Sequence, residues 1–128
     1  MNFIFLVGRI LFASVFLVRA VAHFSESAMC HAVDAGLPLP ALLVPFGGIL
    51  LLVGGLSVLF GYQARYGAWV LVIFLVPATF AMHKFWQVND WYSNTMEQLC
   101  FWKNLALLGA ALMLTHFGSG PHSLDSKK

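Results

Sequence analysis

Four long apolar segments, separated by shorter polar stretches, dominate the chain. They cover residues 3–22, 39–60, 67–82 and 99–117. A hydrocarbon core about 30 Å thick needs roughly 20 helical residues to cross it, and each segment approaches that length. The polar stretches contain helix breakers, such as Gly36 and Pro38 after the first segment and Gly118 after the fourth. The pattern therefore predicts four membrane-spanning helices.

The composition supports the same architecture. The 128 residues are 60% hydrophobic and only 9% charged, whereas about 25% of residues in soluble domains are charged. A chain of this length forms one compact domain. We expect an all-α fold, an up-down-up-down four-helix bundle that occupies the lipid bilayer as a single transmembrane domain. Because Arg9 and Arg19 interrupt the first apolar segment, we expect it to be a helix and not a cleaved signal peptide.

Basic residues in the short loops predict the orientation, because they favour the cytoplasm. With four crossings, the loop that contains Arg65 lies on the same side as both termini, and the tail 118–128 adds Lys127 and Lys128. The opposite loops contain Lys84 together with four carboxylates, namely Glu26, Asp34, Asp90 and Glu97. We expect both termini, and hence the tail, to be cytoplasmic. The charges form no basic run, so nucleic acid is not an expected partner.

Several ionisable residues lie within the predicted helices, where each costs about 3 kcal/mol on insertion scales. At 100° per residue, the ionisable side chains of the first helix fall within an arc of about 80°; they are Arg9, Arg19 and His23. The polar residues at the start of the fourth helix fall within an arc of about 120°; they are Glu97, Cys100, Lys103 and Asn104. The candidate ligand-binding set is Arg19, His23, His83, Glu97, Lys103 and Asn104 near the outer face, with Arg9 nearer the inner face.

The residues leave two interpretations of this set open. The polar groups could form ion pairs inside the bundle, such as Glu97 with Arg19 or Lys103, that only hold the helices together. Alternatively, they could line an outward-facing polar pocket for a quinone headgroup, an anion or a metal.

Soft ligands at the same level suggest copper or zinc as a second kind of occupant. The candidate metal ligands are His23, Cys30, His31, His83 and Cys100. No C-x-x-C or H-x-x-x-H spacing supports them, so metal ranks behind quinone. Cys30 and Cys100 both fall on the predicted oxidising side, where a disulfide and two unlinked thiols remain alternatives.

Glycines recur every seven residues along the second helix, at Gly47, Gly54 and Gly61, and two of them have a neighbouring glycine, Gly48 and Gly55. Small residues let helix backbones approach closely in a membrane. We interpret this seam as a packing surface, which would also permit a homo-oligomer.

Taken in order, five short motifs resemble those of the DoxX family of small bacterial membrane proteins. They are Gly8-Arg9, then Gly54-Gly55-Leu56 with Leu59-Phe60-Gly61, then His83 with Phe85-Trp86, then Lys103-Asn104-Leu105-Ala106-Leu107, and finally Gly118-Ser119-Gly120-Pro121-His122-Ser123-Leu124-Asp125. The resemblance implies four transmembrane helices in the bacterial inner membrane and an association with redox, oxidative-stress or metal-stress systems. Many relatives have a glutamate where this chain has Leu51, which makes Glu97 the remaining candidate counter-ion for Arg9 or Lys103.

Our leading functional hypothesis is an accessory or quinone-linked subunit of a redox or oxidative-stress system, working with a protein partner from that system. One alternative is a metal-handling or stress-response membrane protein, and another is a structural or assembly factor without a ligand. The sequence contains no nucleophile paired with a base, no phosphate loop and no dinucleotide fingerprint. An accessory subunit is therefore favoured over an independent enzyme.

Overall fold

The computed structural model describes residues 2–34, 36–120 and 123–125, apart from the side chains of Asn2 and His31. Its helices are α1 (Asn2–Ala22), α2 (Glu26–Asp34), α3 (Pro40–Phe60), α4 (Ala64–Met82) and α5 (Trp91–Phe117), with a short 3-10 turn at Phe85–Gln87 before α5. Within the described residues, four helices are long and apolar enough to cross a membrane, namely α1, α3, α4 and α5. The predicted all-α membrane fold is confirmed.

Helix α5 starts at Trp91, eight residues before the predicted start at residue 99. Hydropathy did not indicate this beginning, because residues 91–98 are mostly polar or aromatic. The Asp90 side chain caps the helix by accepting the backbone N–H of Ser93 at 2.9 Å. The same hydrogen bonding lowers the pKa of Asp90 below its ordinary value. The capping residue, and not the hydrophobic run, determines where α5 begins.

Two further differences from the prediction involve polar groups at helix N-termini. The first connecting loop contains the short helix α2, which the polar sequence did not predict; at its N-terminus the Ser25 hydroxyl accepts the Ala28 N–H at 3.3 Å. Helix α4 begins at Ala64, three residues before the predicted residue 67. There the carboxylate of Asp125 accepts the backbone N–H of Ala64 at 3.0 Å. A distant residue therefore starts α4 earlier than its hydropathy indicates.

The four spans pack as a row, α1 on α3, α3 on α4 and α4 on α5. Direct backbone contact between the described parts of α1 and α5 is slight at most. In α5, only 11% of the apolar window is buried, compared with 39% in α3. The core lies along the middle of the row and consists of Ala13, Phe16, Ala20, Leu51, Val58, Leu71 and Leu75. This arrangement leaves an opening between α1 and α5, with α3 and α4 behind it.

Neighbouring glycines allow α3 to be approached from two sides. A Cβ atom on Gly54 would lie 2.8 Å from the Leu71 side chain and 3.0 Å from the Gly67 carbonyl oxygen, both on α4. A Cβ atom on Gly55 would lie 2.9 Å from the side chain of Leu17 on α1. The predicted seam therefore packs against helices of the same chain at these positions.

The two ends of the bundle differ in what they contain. We call the end with the start of α1, the α3–α4 turn and the end of α5 the terminal end. The opposite end, with α2 and the α4–α5 connection, is the loop end. The polar groups discussed below divide between these two ends.

Candidate functional site

A cavity of about 650 Å³ opens at the loop end, where α1, α3, α4 and α5 surround it and α2 contributes to its wall. Its deeper part is apolar, and Phe16, Leu51, Phe74 and Leu107 contribute to it. The polar residues that line it are Arg19, His23, Ser25, Ser27, His83, Glu97, Cys100, Lys103 and Asn104. Six of the seven candidate ligand-binding residues thus share one cavity.

His83 and Glu97 form a hydrogen bond at the cavity wall. The Nδ1 atom of His83 lies 2.8 Å from Oε2 of Glu97. His83 follows the last residue of α4 and is 8% exposed, and Glu97 lies in the second turn of α5. The pair therefore connects the ends of two adjacent helices. It holds His83 in one orientation, with Nε2 as its remaining polar atom.

This pairing corrects the expected partners of Glu97, which were Arg19 or Lys103. Arg19 lies on α1, whose described part has at most slight backbone contact with α5. Lys103 follows Glu97 by six residues, which places the two side chains about 120° apart around the helix axis, at opposite edges of the polar arc. His83 lies on the neighbouring helix and reaches the carboxylate instead.

His23 is fixed by its own helix and by α4. Its Nδ1 atom lies 2.9 Å from the carbonyl oxygen of Arg19, which can only accept a hydrogen bond, so Nδ1 is the donor. The ring packs edge-on against Phe74, with 5.5 Å between the centroids. The Nε2 atom is then the ring nitrogen that remains to interact with an occupant of the cavity.

Arg9 lies apart from the other candidates, at the terminal end. It is 3% exposed, and its Nη1 donates to the carbonyl oxygen of Ser119 at 2.7 Å. Its charge also interacts with the carboxylate of Asp125. Arg9 belongs to a network with the C-terminal segment and contributes nothing to the cavity lining.

The C-terminal segment folds back onto the α3–α4 turn. We name the side chains of Ser119, Ser123 and Asp125 the C-terminal clasp. The Asp125 carboxylate accepts the N–H groups of Gln63 at 2.7 Å and Ala64 at 3.0 Å, while the backbone N–H of Asp125 donates to the Gly61 carbonyl at 2.8 Å. Within the clasp, the hydroxyl groups of Ser119 and Ser123 are 2.9 Å apart.

Sequence reasoning did not assign a role to the clasp, although the motif Gly-x-Gly-x-x-Ser-Leu-Asp contains all three of its residues. The signal was the unusual combination of small and polar residues directly after a membrane helix. Pro121 and His122 of that motif, and Lys127 and Lys128 of the tail, lie outside the described residues.

Three of the five predicted soft metal ligands, His23, His83 and Cys100, line the cavity. Among the described residues, no three His, Cys, Asp or Glu side chains lie close enough to hold a metal ion. Cys30 is exposed on α2, Cys100 is partly buried at the cavity, and both are free thiols, so the structure contains no disulfide between them. The side chain of His31 lies outside the described residues.

Comparison with known families identifies the chain. The DoxX family model matches residues 4–84. The chain belongs to the DoxX family. The match covers nearly all of α1 together with α2, α3 and α4, and the motifs in α5 and the clasp lie beyond it. The predicted family is therefore confirmed from the part of the chain that contains the glycine seam.

Three relatives are similar to this DoxX protein. The inner membrane protein YqjF of Escherichia coli is 28% identical over 94% of this chain and 88% of its own length. The ER-derived vesicles protein ERV29 of Saccharomyces cerevisiae is 27% identical over 65% of this chain, and the Surfeit locus protein 4 homolog of Schizosaccharomyces pombe is 34% identical over 56%. The matched regions make up only about a quarter of each yeast protein. No solved structure matches the chain. YqjF and the four apolar helices support a multi-pass protein of the inner membrane.

Proposed function

We propose that this DoxX protein is an accessory, quinone-linked subunit of a redox or oxidative-stress system and that its loop-end cavity binds a quinone. The observation that supports this most is the division of the cavity into an apolar interior and a polar loop end. Its volume falls within the range of about 300–1,000 Å³ that is typical of small-molecule sites.

The polarity of the cavity suits the two parts of a quinone. Quinone carbonyl oxygens accept hydrogen bonds, and the amide of Asn104 and the ammonium group of Lys103 offer donors at the polar end. The isoprenoid chain would lie against Phe74 and Leu107 and leave toward lipid through the opening between α1 and α5. A bilayer-dissolved ligand could therefore enter without crossing water.

Quinone binding should depend on Asn104. We expect purified protein in a mild detergent to bind a decyl-chain ubiquinone analogue, measured by isothermal titration. The Asn104→Leu variant should bind about tenfold more weakly, because one buried hydrogen bond of about 1.4 kcal/mol is lost. The matched control is Asn89→Leu, which changes an amide in the α4–α5 connection outside the cavity lining.

Two results would count against this proposal. One is a wild-type protein that is folded and binds no quinone analogue. The other is equal quinone affinity in Asn104→Leu and Asn89→Leu. The first result would favour a structural or assembly factor. In such a protein, the His83–Glu97 pair would only hold α4 and α5 together. Co-purification with a redox or stress-related protein tests the proposed partner separately.

We also propose that the loop end faces the periplasm and that both termini are cytoplasmic, as the basic residues of the loops predict. In a Cys100→Ser background, Cys30 is the remaining thiol, and it is exposed on α2. A membrane-impermeant maleimide should label it in intact spheroplasts. In a chain without Cys30 and Cys100, the variant Gln63→Cys, at an exposed position of the terminal end, should be labelled only after permeabilisation. The reverse labelling pattern would overturn the orientation.

A further inference from the structure

Lys103 lies within the membrane-spanning helix α5, four residues after its apolar segment begins at residue 99. It follows Trp91 by twelve residues and precedes Phe117 by fourteen, so it stands about 18 Å and about 21 Å from the two ends of α5. Its helix is one of the four that can cross a membrane, and Lys103 lines the cavity. An ionised lysine at this depth is costly, and such residues normally face a counter-charge or a functional cavity.

The charged groups around the cavity do not balance. Among the described lining residues, the titratable groups are Arg19 and His23 from α1, His83 from the end of α4, and Glu97 and Lys103 from α5. Glu97 is the single carboxylate in this described set, and it is already bound to His83. In the described part of the chain, neither Arg19 nor Lys103 has a salt bridge or a side-chain hydrogen bond. Arg19 and Lys103 therefore line the cavity together with Glu97, whose carboxylate is paired with His83 and not with either cation.

The positions of the two cations define a place for an anion. Arg19 is on α1 and Lys103 is on α5, the two spans that border the opening and have at most slight contact with each other. An anionic group at the polar end would therefore lie between two helices that the chain itself leaves apart. The apolar residues deeper in the same cavity, such as Phe74 and Leu107, would contact an alkyl chain.

We propose that the cavity binds the carboxylate or phosphate headgroup of a single-chain amphiphile between Arg19 and Lys103, with the alkyl chain in the apolar interior. The headgroup neutralises the two cations and joins α1 to α5. The proposal rests on the proposed function only in taking this cavity as a ligand site. An anionic amphiphile would compete with a quinone for it.

Three ligands of equal chain length test the charge preference, namely decanoate, decyl phosphate and the neutral decanol, with inorganic phosphate as the ion without a chain. We expect the full-length protein in a non-ionic detergent to bind decanoate or decyl phosphate at least tenfold more tightly than decanol. Lys103→Met and Arg19→Met should each reduce that preference about tenfold and leave decanol binding unchanged. The control is Lys84→Met, which removes a cation outside the cavity lining.

The wild-type measurements decide the proposal even if a variant does not fold. Equal affinity for decanoate and decanol in the wild-type protein would overturn it, and so would anion binding that survives both Lys103→Met and Arg19→Met. If inorganic phosphate binds as tightly as decyl phosphate, the cavity is a site for a free ion, and the proposal of an amphiphilic ligand is overturned. A preference between decanoate and decyl phosphate identifies the source of the headgroup. Anion preference without quinone binding would refute only the quinone proposal, and quinone binding without anion preference would refute only this one.

Discussion

Asp125→Asn is expected to destabilise the folded protein by about 3 kcal/mol, because it removes a carboxylate that interacts with a buried cation. Arg9 is 3% exposed and its charge interacts with Asp125. The same carboxylate accepts the N–H groups of Gln63 and Ala64 at the start of α4. Asparagine retains the size of the side chain but has no negative charge and only one acceptor oxygen. The loss should appear as a lower midpoint of thermal unfolding in detergent.

Asp34→Asn is the matched control, since it neutralises an exposed carboxylate at the end of α2. We expect it to change stability by less than about 0.5 kcal/mol. A double variant, Arg9→Met with Asp125→Asn, should be less destabilised than the sum of its single changes, because the two residues interact. An Asp125→Asn protein as stable as Asp34→Asn would show that the C-terminal clasp does not stabilise the bundle.

The clasp also shows what sequence reasoning could not predict. Its motif was recognised, but its partners lie about 60 residues earlier in the chain, at the α3–α4 turn. Nothing in the local pattern indicates that Asp125 starts α4 or that Ser119 accepts a hydrogen bond from Arg9. Arg9 was therefore grouped with the ligand-binding candidates from its helix face alone, whereas its contacts are with the C-terminal segment.

The four spans, in contrast, follow from composition and periodicity. Each is a predominantly apolar run, and the cost of exposing backbone groups to lipid favours a helix in each. Hydropathy placed the start of a helix wrongly where a polar group determines that start. An example is Asp90, which caps the polar first turns of α5. Helical arcs were similarly sufficient to bring Arg19, Lys103 and Asn104 to one level. They could not identify His83 as the partner of Glu97, because that depends on which helices are neighbours.

The glycine seam provides the second large expected effect, at the contact between α3 and α4. A Cβ atom on Gly54 would lie 2.8 Å from the side chain of Leu71, which is fully buried, and 3.0 Å from the Gly67 carbonyl oxygen. Neither neighbour can move away without separating the two helices. We expect Gly54→Ala to destabilise the protein by about 2–3 kcal/mol through overpacking.

Gly109 offers a control for this substitution within α5, because a Cβ atom there would meet nothing within 4 Å. Alanine favours the helix over glycine by about 1 kcal/mol, so Gly109→Ala should leave stability unchanged or raise it. The two variants add the same methyl group at different places. Their free energies of unfolding in detergent should differ by at least about 2 kcal/mol, with Gly54→Ala the less stable of the two. If Gly54→Ala and Gly109→Ala were equally stable, the close approach of α3 to α4 at Gly54 could not be a main source of bundle stability.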